Sequence, residues 1–202
     1  MLKARIIVRW RSYLKIKYNA PTVLTYAFFC ALVMTITVTW LPGLTQNWFM
    51  VPGKGHFSPS SLRHWLSLLT HAAGHSSWSH LVSNFSIILL IGPMLEESYG
   101  SLALLAMMVI TAVITGILNV VFFPTGLMGA SGVVFMMILL ASFTNFSRGE
   151  IPLTFILVLV LYLGDQLLKS FSTDNISHFA HIAGGFCGSL FGFFIPPSTR
   201  RY

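Results

Sequence analysis

Residues 102–122 read LALLAMMVITAVITGILNVVF, a stretch with no charged side chain and only three hydrogen-bonding ones, Thr111, Thr115 and Asn119. At about 1.5 Å per residue, a helix of this length covers the roughly 30 Å hydrocarbon core of a bilayer. Outward from it, comparable apolar runs recur at about 22–41 and 79–95 on one side, and at about 130–146, 151–168 and 178–195 on the other. The 202 residues are 55% hydrophobic and 8% charged, against roughly 25% charged in a soluble domain. Together with a mean hydropathy of +0.77, this excludes an ordinary soluble domain and predicts an all-α, polytopic membrane protein with six transmembrane helices. The expected layout is a basic segment over 1–19, one membrane domain over 20–196 and a short tail over 197–202.

Charge sets an orientation for these spans. Lys3, Arg5, Arg9, Arg11, Lys15 and Lys17 crowd the start, no acidic residue precedes Glu96, and the net charge is +7. Under the positive-inside rule this run is a cytoplasmic anchor, not a nucleic-acid site. The loops at Glu96–Gly100 and Arg148–Glu150 and the tail with Arg200 and Arg201 then fall inside, leaving Lys54, Arg63 and Lys169 outside, nine basic residues against three. Such a start also has the composition of a mitochondrial transit peptide. The run at 22–41 is longer than the apolar part of a secretory signal and lacks a small-residue cleavage site before Pro42, so it is read as a retained span. Cys30 and Cys187 fall in predicted spans, as buried thiols. Because the chain is little more than six spans, a bacterial inner membrane with both termini cytoplasmic is expected.

The one long connection, Pro42 to Trp78, holds Trp48, Trp65, Trp78, Pro52, Pro59 and four of the seven histidines. It is too polar to span and too aromatic for bulk water. A half-inserted loop with a short amphipathic helix near Ser61–Thr70 is predicted, its indoles at headgroup depth.

Two stretches carry chemistry. Gly129-Ala130-Ser131-Gly132 follows the turn-rich Pro124-Thr125-Gly126-Leu127-Met128, so a helix should begin near Ser131, with free N–H groups and the positive dipole end beside its hydroxyl. Taken alone, the same four residues read more readily as a small-residue packing surface. They do not fit the G-x-S-x-G elbow of soluble hydrolases, because position 133 is Val. His181 shares a helix face with Gly184, Gly185, Gly188 and Gly192, a groove that lets a neighbouring helix approach closely and turns the histidine towards it. No carboxylate stands where it would complete a triad, since Asp165 and Asp174 flank a loop, so the arrangement implies a Ser131–His181 dyad. His80 and Asn84, four apart at the outer end of the second span, present uncharged donors at one depth, suited either to an oxyanion or to holding helices together. His71 and His75 have the spacing of H-E-x-x-H, but Ala72 replaces the glutamate, which argues against a catalytic zinc. An ion held by His71, His75 and His178 stays open as a lesser reading; no cofactor or metal is expected.

The order His71, His75, His80 and Asn84, then Glu96 with Gly100, then Gly129-Ala130-Ser131-Gly132, then Ala180-His181-Ile182-Ala183-Gly184 with Gly188, resembles a rhomboid intramembrane serine protease across nearly the whole chain. The resemblance implies a six-helix bundle with a half-inserted first loop. It implies Ser131 as nucleophile and His181 as general base and acid. His80, Asn84 and the Ser131 backbone N–H would form an oxyanion hole, with Gly129 allowing close approach. It further implies single-pass transmembrane proteins as substrates, with lateral entry between the second and fifth spans. Two departures stand out: Phe135 occupies a position that is often tyrosine, and Leu66 and Ser67 replace a common Trp-Arg pair, with Arg63 and Trp65 nearby. Glu96 is expected to be structural. A non-catalytic client-binding rhomboid-like protein is the main alternative; a small transporter or channel is a further one.

Overall fold

The computed structural model describes residues 16–143, 153–158, 160–161 and 175–198, and every extended element among them is a helix. In chain order these are α1 (Pro21–Thr39), α2 (Leu44–Trp48), α3 (Leu62–Thr70), α4 (Trp78–Tyr99), α5 (Ser101–Phe122), α6 (Ser131–Ala141), α7 (Leu153–Val158) and α8 (Asn175–Phe194), with a tight helical turn at His71–Ala73. Among the described residues α1, α4 and α5 are each long and apolar enough to cross a membrane, and α6 and the Phe179–Phe194 part of α8 are shorter apolar helices. The expected spans at 130–146 and 151–168 lie partly outside the described residues, as do the basic residues before Lys17, the Arg148–Glu150 loop, Asp165, Lys169, Asp174 and the two C-terminal arginines.

Three boundaries differ from the sequence reading. The expected loop at Glu96–Gly100 is the last turn of α4, broken by Gly100 alone, whose φ of +85° suits a residue without Cβ. The cause is the use made of Glu96. Helix α1 opens with Pro21 and has no side-chain cap of its own. Glu96 supplies one from the far end of α4, accepting the Thr22 N–H at 2.8 Å and the Val23 N–H at 3.0 Å, while Ser101 Oγ donates to it at 2.6 Å. A carboxylate at a helix N-terminus also meets the positive end of the dipole. The second difference is α2, a single turn too short to leave a periodic signal. The third is that α8 starts at Asn175, ahead of the expected 178.

The long connection is tied to the bundle at several points. Val51 and Leu127 form an antiparallel bridge with N–H···O distances of 2.9 and 3.0 Å, and Tyr26 Oη donates to the Ala72 carbonyl at 2.7 Å. Helix α3 lies on α5 where Gly116 faces the Leu68 backbone, and His71 Nε2 reaches the Ala112 carbonyl at 2.9 Å. On its other face Leu62, Trp65, Leu66 and Leu69 form an exposed apolar stripe at helical spacing.

Helices α6 and α8 meet backbone to backbone. A Cβ on Gly184 would stand 2.1 Å from the Gly132 carbonyl oxygen, and one on Gly188 2.2 Å from that of Met136, so both positions admit only hydrogen. The groove read from the glycine spacing is therefore filled by the backbone of α6. Cys30 and Cys187 are free and buried.

Candidate active site

A cavity of about 410 Å³ opens between α4, α6 and α8. Helix α4 contributes His80, Ser83, Asn84 and Ile87, the connection before α6 contributes Leu127 and Met128, α6 itself Ser131, Val134 and Phe135, and α8 His181. Ser131, His181, His80 and Asn84, spread over a hundred residues of sequence, thus meet at one place. Ser83 and Ile87 were not singled out from sequence, although 80, 83, 84 and 87 form one helical face and the spacing alone could have shown them. Leu127 and Met128, in an irregular segment, carried no such signal.

Each side chain is placed by a local cause. Ser131 is the first residue of α6, preceded by Ala130, which has no side chain able to cap. The first N–H groups of α6 therefore have no side-chain partner from the cap and stand beside the Ser131 hydroxyl. The approach to that helix start is fixed by Gly129, whose N–H donates to the His71 carbonyl at 2.9 Å. Its φ of +125° disfavours other residues, and a Cβ there would lie 2.8 Å from His80 Nε2 and 3.9 Å from Asn84 Nδ2. Both nitrogens thus border the small space that the missing Cβ leaves open.

His181 stacks on Phe135, with ring centroids 4.3 Å apart and planes within 8°. The missing tyrosine hydroxyl does not remove this contact. Asn84 is buried and its Nδ2 has no hydrogen-bond partner. Leaving such a donor unpaired costs roughly 1–3 kcal/mol. His80 is held by its N-terminal turn: the Ser77 Oγ caps α4 by accepting the His80 N–H at 3.1 Å, and the Ser76 Oγ lies 3.1 Å from His80 Nδ1.

His75 is not among the residues that line the cavity. It is buried behind His80, ring centroids 5.1 Å apart and edge-on, with Phe85 at 5.9 Å. The turn at His71–Ala73 points it inwards, whereas Ser76, Ser77 and Ser79 are exposed. His71 and His75 precede α4, outside the long helices, and burial pushes both imidazoles down to about 4, helped at His75 by the neighbouring His80 and opposed at His71 by the bond to Ala112. Both are neutral at pH 7. His178 lies in α8, its side chain outside the described residues.

An all-helical integral membrane protein with a serine, two histidines and an asparagine around one cavity is a narrow class. The Rhomboid domain family model matches residues 62–198, and the chain belongs to the rhomboid family. Among similar proteins, Rhomboid-like protein 11, chloroplastic, of Arabidopsis thaliana is 22% identical over 162 residues, covering 72% of this chain and 58% of its own length. Rhomboid protease GlpG of Haemophilus influenzae is 26% identical over 128 residues, covering 62% and 67%. Rhomboid-related protein 1 of Caenorhabditis elegans is 32% identical over 133 residues, covering 60% of this chain and 37% of its own. The chain thus spans between about a third and two thirds of the length of these relatives.

Proposed function

We propose that the protein is an intramembrane serine endopeptidase that cleaves single-pass transmembrane proteins through a Ser131–His181 dyad. The observation that carries this is the convergence on one cavity of a helix-start serine, a stacked histidine and the nitrogens of His80 and Asn84. Ser131 Oγ attacks the scissile carbonyl carbon as His181 takes its proton. The tetrahedral oxyanion is stabilised by His80, Asn84 and the Ser131 N–H. His181 then gives the proton to the leaving amine, and a water activated by the same histidine releases the acyl group from Ser131.

The reading includes six spans, with both termini cytoplasmic and a bacterial inner membrane as the setting. The connection between α1 and α4 is half-inserted, the exposed stripe of Leu62, Trp65, Leu66 and Leu69 supporting lipid contact along α3. Gly129, Phe135, Gly184, Gly188, His75 and Glu96 support the site without reacting.

The test is covalent labelling by a fluorophosphonate in detergent. Wild type should label, while Ser131→Ala should not and His181→Ala should do so far more slowly. Labelling that persists in Ser131→Ala refutes the nucleophile. A folded wild type that neither labels nor cleaves favours a client-binding rhomboid-like protein.

A further inference from the structure

We propose that Ser76 is a positioning residue that holds His80 in the tautomer with its proton on Nε2; this rests on the reading of His80 as an oxyanion donor. A neutral imidazole has one N–H and one lone pair, and the partner of one nitrogen decides which of the two carries the proton. Donation into the site requires the proton on Nε2, the nitrogen that borders the space left open by Gly129. The other nitrogen, Nδ1, faces the Ser76 hydroxyl at 3.1 Å. When that hydroxyl donates, Nδ1 must offer its lone pair, and the proton stays on Nε2.

The surroundings favour this assignment. Among the described residues the bond to Ser76 is the single hydrogen bond of the His80 ring, so no carboxylate or carbonyl competes to draw the proton onto Nδ1. The His75 ring beside it packs edge-on at 5.1 Å and makes no hydrogen bond to the His80 ring, so it does not compete for the proton. Two adjacent serines divide the work. Ser77 holds the His80 backbone as the cap of α4, which frees the Ser76 hydroxyl from any capping role. Ser76 is solvent-exposed, so its oxygen can accept from water while its proton serves Nδ1.

The experiment reads the tautomer directly, by ¹⁵N NMR of the histidine-labelled full chain in micelles, with His80 assigned by its loss in His80→Gln. The wild type is expected to show a protonated Nε2 and a bare Nδ1, Ser76→Ala a mixture, and Ser76→Thr the wild-type pattern. In cleavage assays Ser76→Ala should lower kcat about three- to tenfold, the weight of one neutral hydrogen bond, with KM little changed and Ser76→Thr restoring it. In a His80→Ala background the same substitution should add nothing. A wild-type His80 protonated on Nδ1, an unchanged tautomer in Ser76→Ala, or a kcat loss that persists without His80 overturns the proposal. Absence of Ser131 labelling in wild type would instead refute the protease reading, and the NMR result would still decide the role of Ser76.

Discussion

Replacing Gly184 with alanine probes whether the approach of α6 and α8 sets the distance between the proposed nucleophile and base. The added methyl would begin 2.1 Å from the Gly132 carbonyl oxygen, 2.8 Å from its carbon and 3.0 Å from its Cα. All three are backbone atoms and cannot rotate away. Reaching ordinary contact at 3.4 Å requires the helices to part by about 1.3 Å at this level. Gly132 follows Ser131 directly and Gly184 lies one turn after His181, so this opening falls on the dyad. A misplacement near 1 Å costs on the order of a hundredfold in rate. Overpacking should cost roughly 1–3 kcal/mol, reduced by up to about 1 kcal/mol because alanine is the better helix former. The assay is the fluorophosphonate labelling rate together with thermal unfolding, with Phe186→Leu, on an exposed face of α8, as the control. Gly184→Ala should keep its fold with a lowered Tm and label about a hundredfold more slowly, and the control should match wild type. A variant with wild-type labelling would show that this close approach does not hold the dyad together.

Three further outcomes follow from the same structure. His80→Ala and Asn84→Ala should each lower kcat by roughly one to three orders of magnitude as lost oxyanion donors, and unchanged turnover would return both to a packing role. Glu96→Ala removes the acceptor of two hydrogen bonds from the start of α1 and one from the Ser101 hydroxyl at the start of α5, and should destabilise the fold by roughly 2–3 kcal/mol, read as a lowered Tm, with normal labelling per folded molecule. Because burial holds His71 and His75 at about 4, below the roughly 6.5 of an unfolded histidine, their neutral packing contributes fully above pH 6.5. That contribution is lost as pH falls towards 4, by at most about 3 kcal/mol each, so Tm should decline from pH 7 to about 5, above the carboxylate range. A flat Tm over that interval would contradict their burial as neutral groups.

What was legible in the sequence was whatever repeats at a helical period or stands beside a turn. Gly184, Gly188 and Gly192 announced the α6–α8 contact because their spacing places them on one face, and the turn residues 124–129 announced the start of α6. The partner of Glu96 was not legible: the residue draws attention, but Thr22 and Val23 are more than seventy positions away and carry no mark of receiving a cap. The charge of Glu96 and Glu97 suggested a loop, yet capping α1 satisfied the buried carboxylate and allowed the helix to run on to Tyr99. The direction of His75 was equally hidden, since it depends on a three-residue turn whose handedness no spacing records.

The membrane setting explains why the site can be picked out at all. In hydrocarbon each polar group needs a partner, and eight helix hydroxyls among the described residues find one locally. Thr35, Thr37, Thr39, Ser86, Ser98, Thr111, Thr115 and Ser189 each donate to the carbonyl four residues earlier. Each of these hydroxyl protons is thus given to a carbonyl of its own helix. Ser131 lacks that outlet, because it is the first residue of α6 and the carbonyl four positions back, Leu127, belongs to the bridge with Val51. Asn84 likewise keeps a buried N–H with no partner next to the same cavity. A hydroxyl with no turn behind it and an amide with nothing to bond are each unfavourable in this setting alone. In the proposed mechanism their placement at one opening gives both a use, since a substrate carbonyl turned tetrahedral would engage both at once.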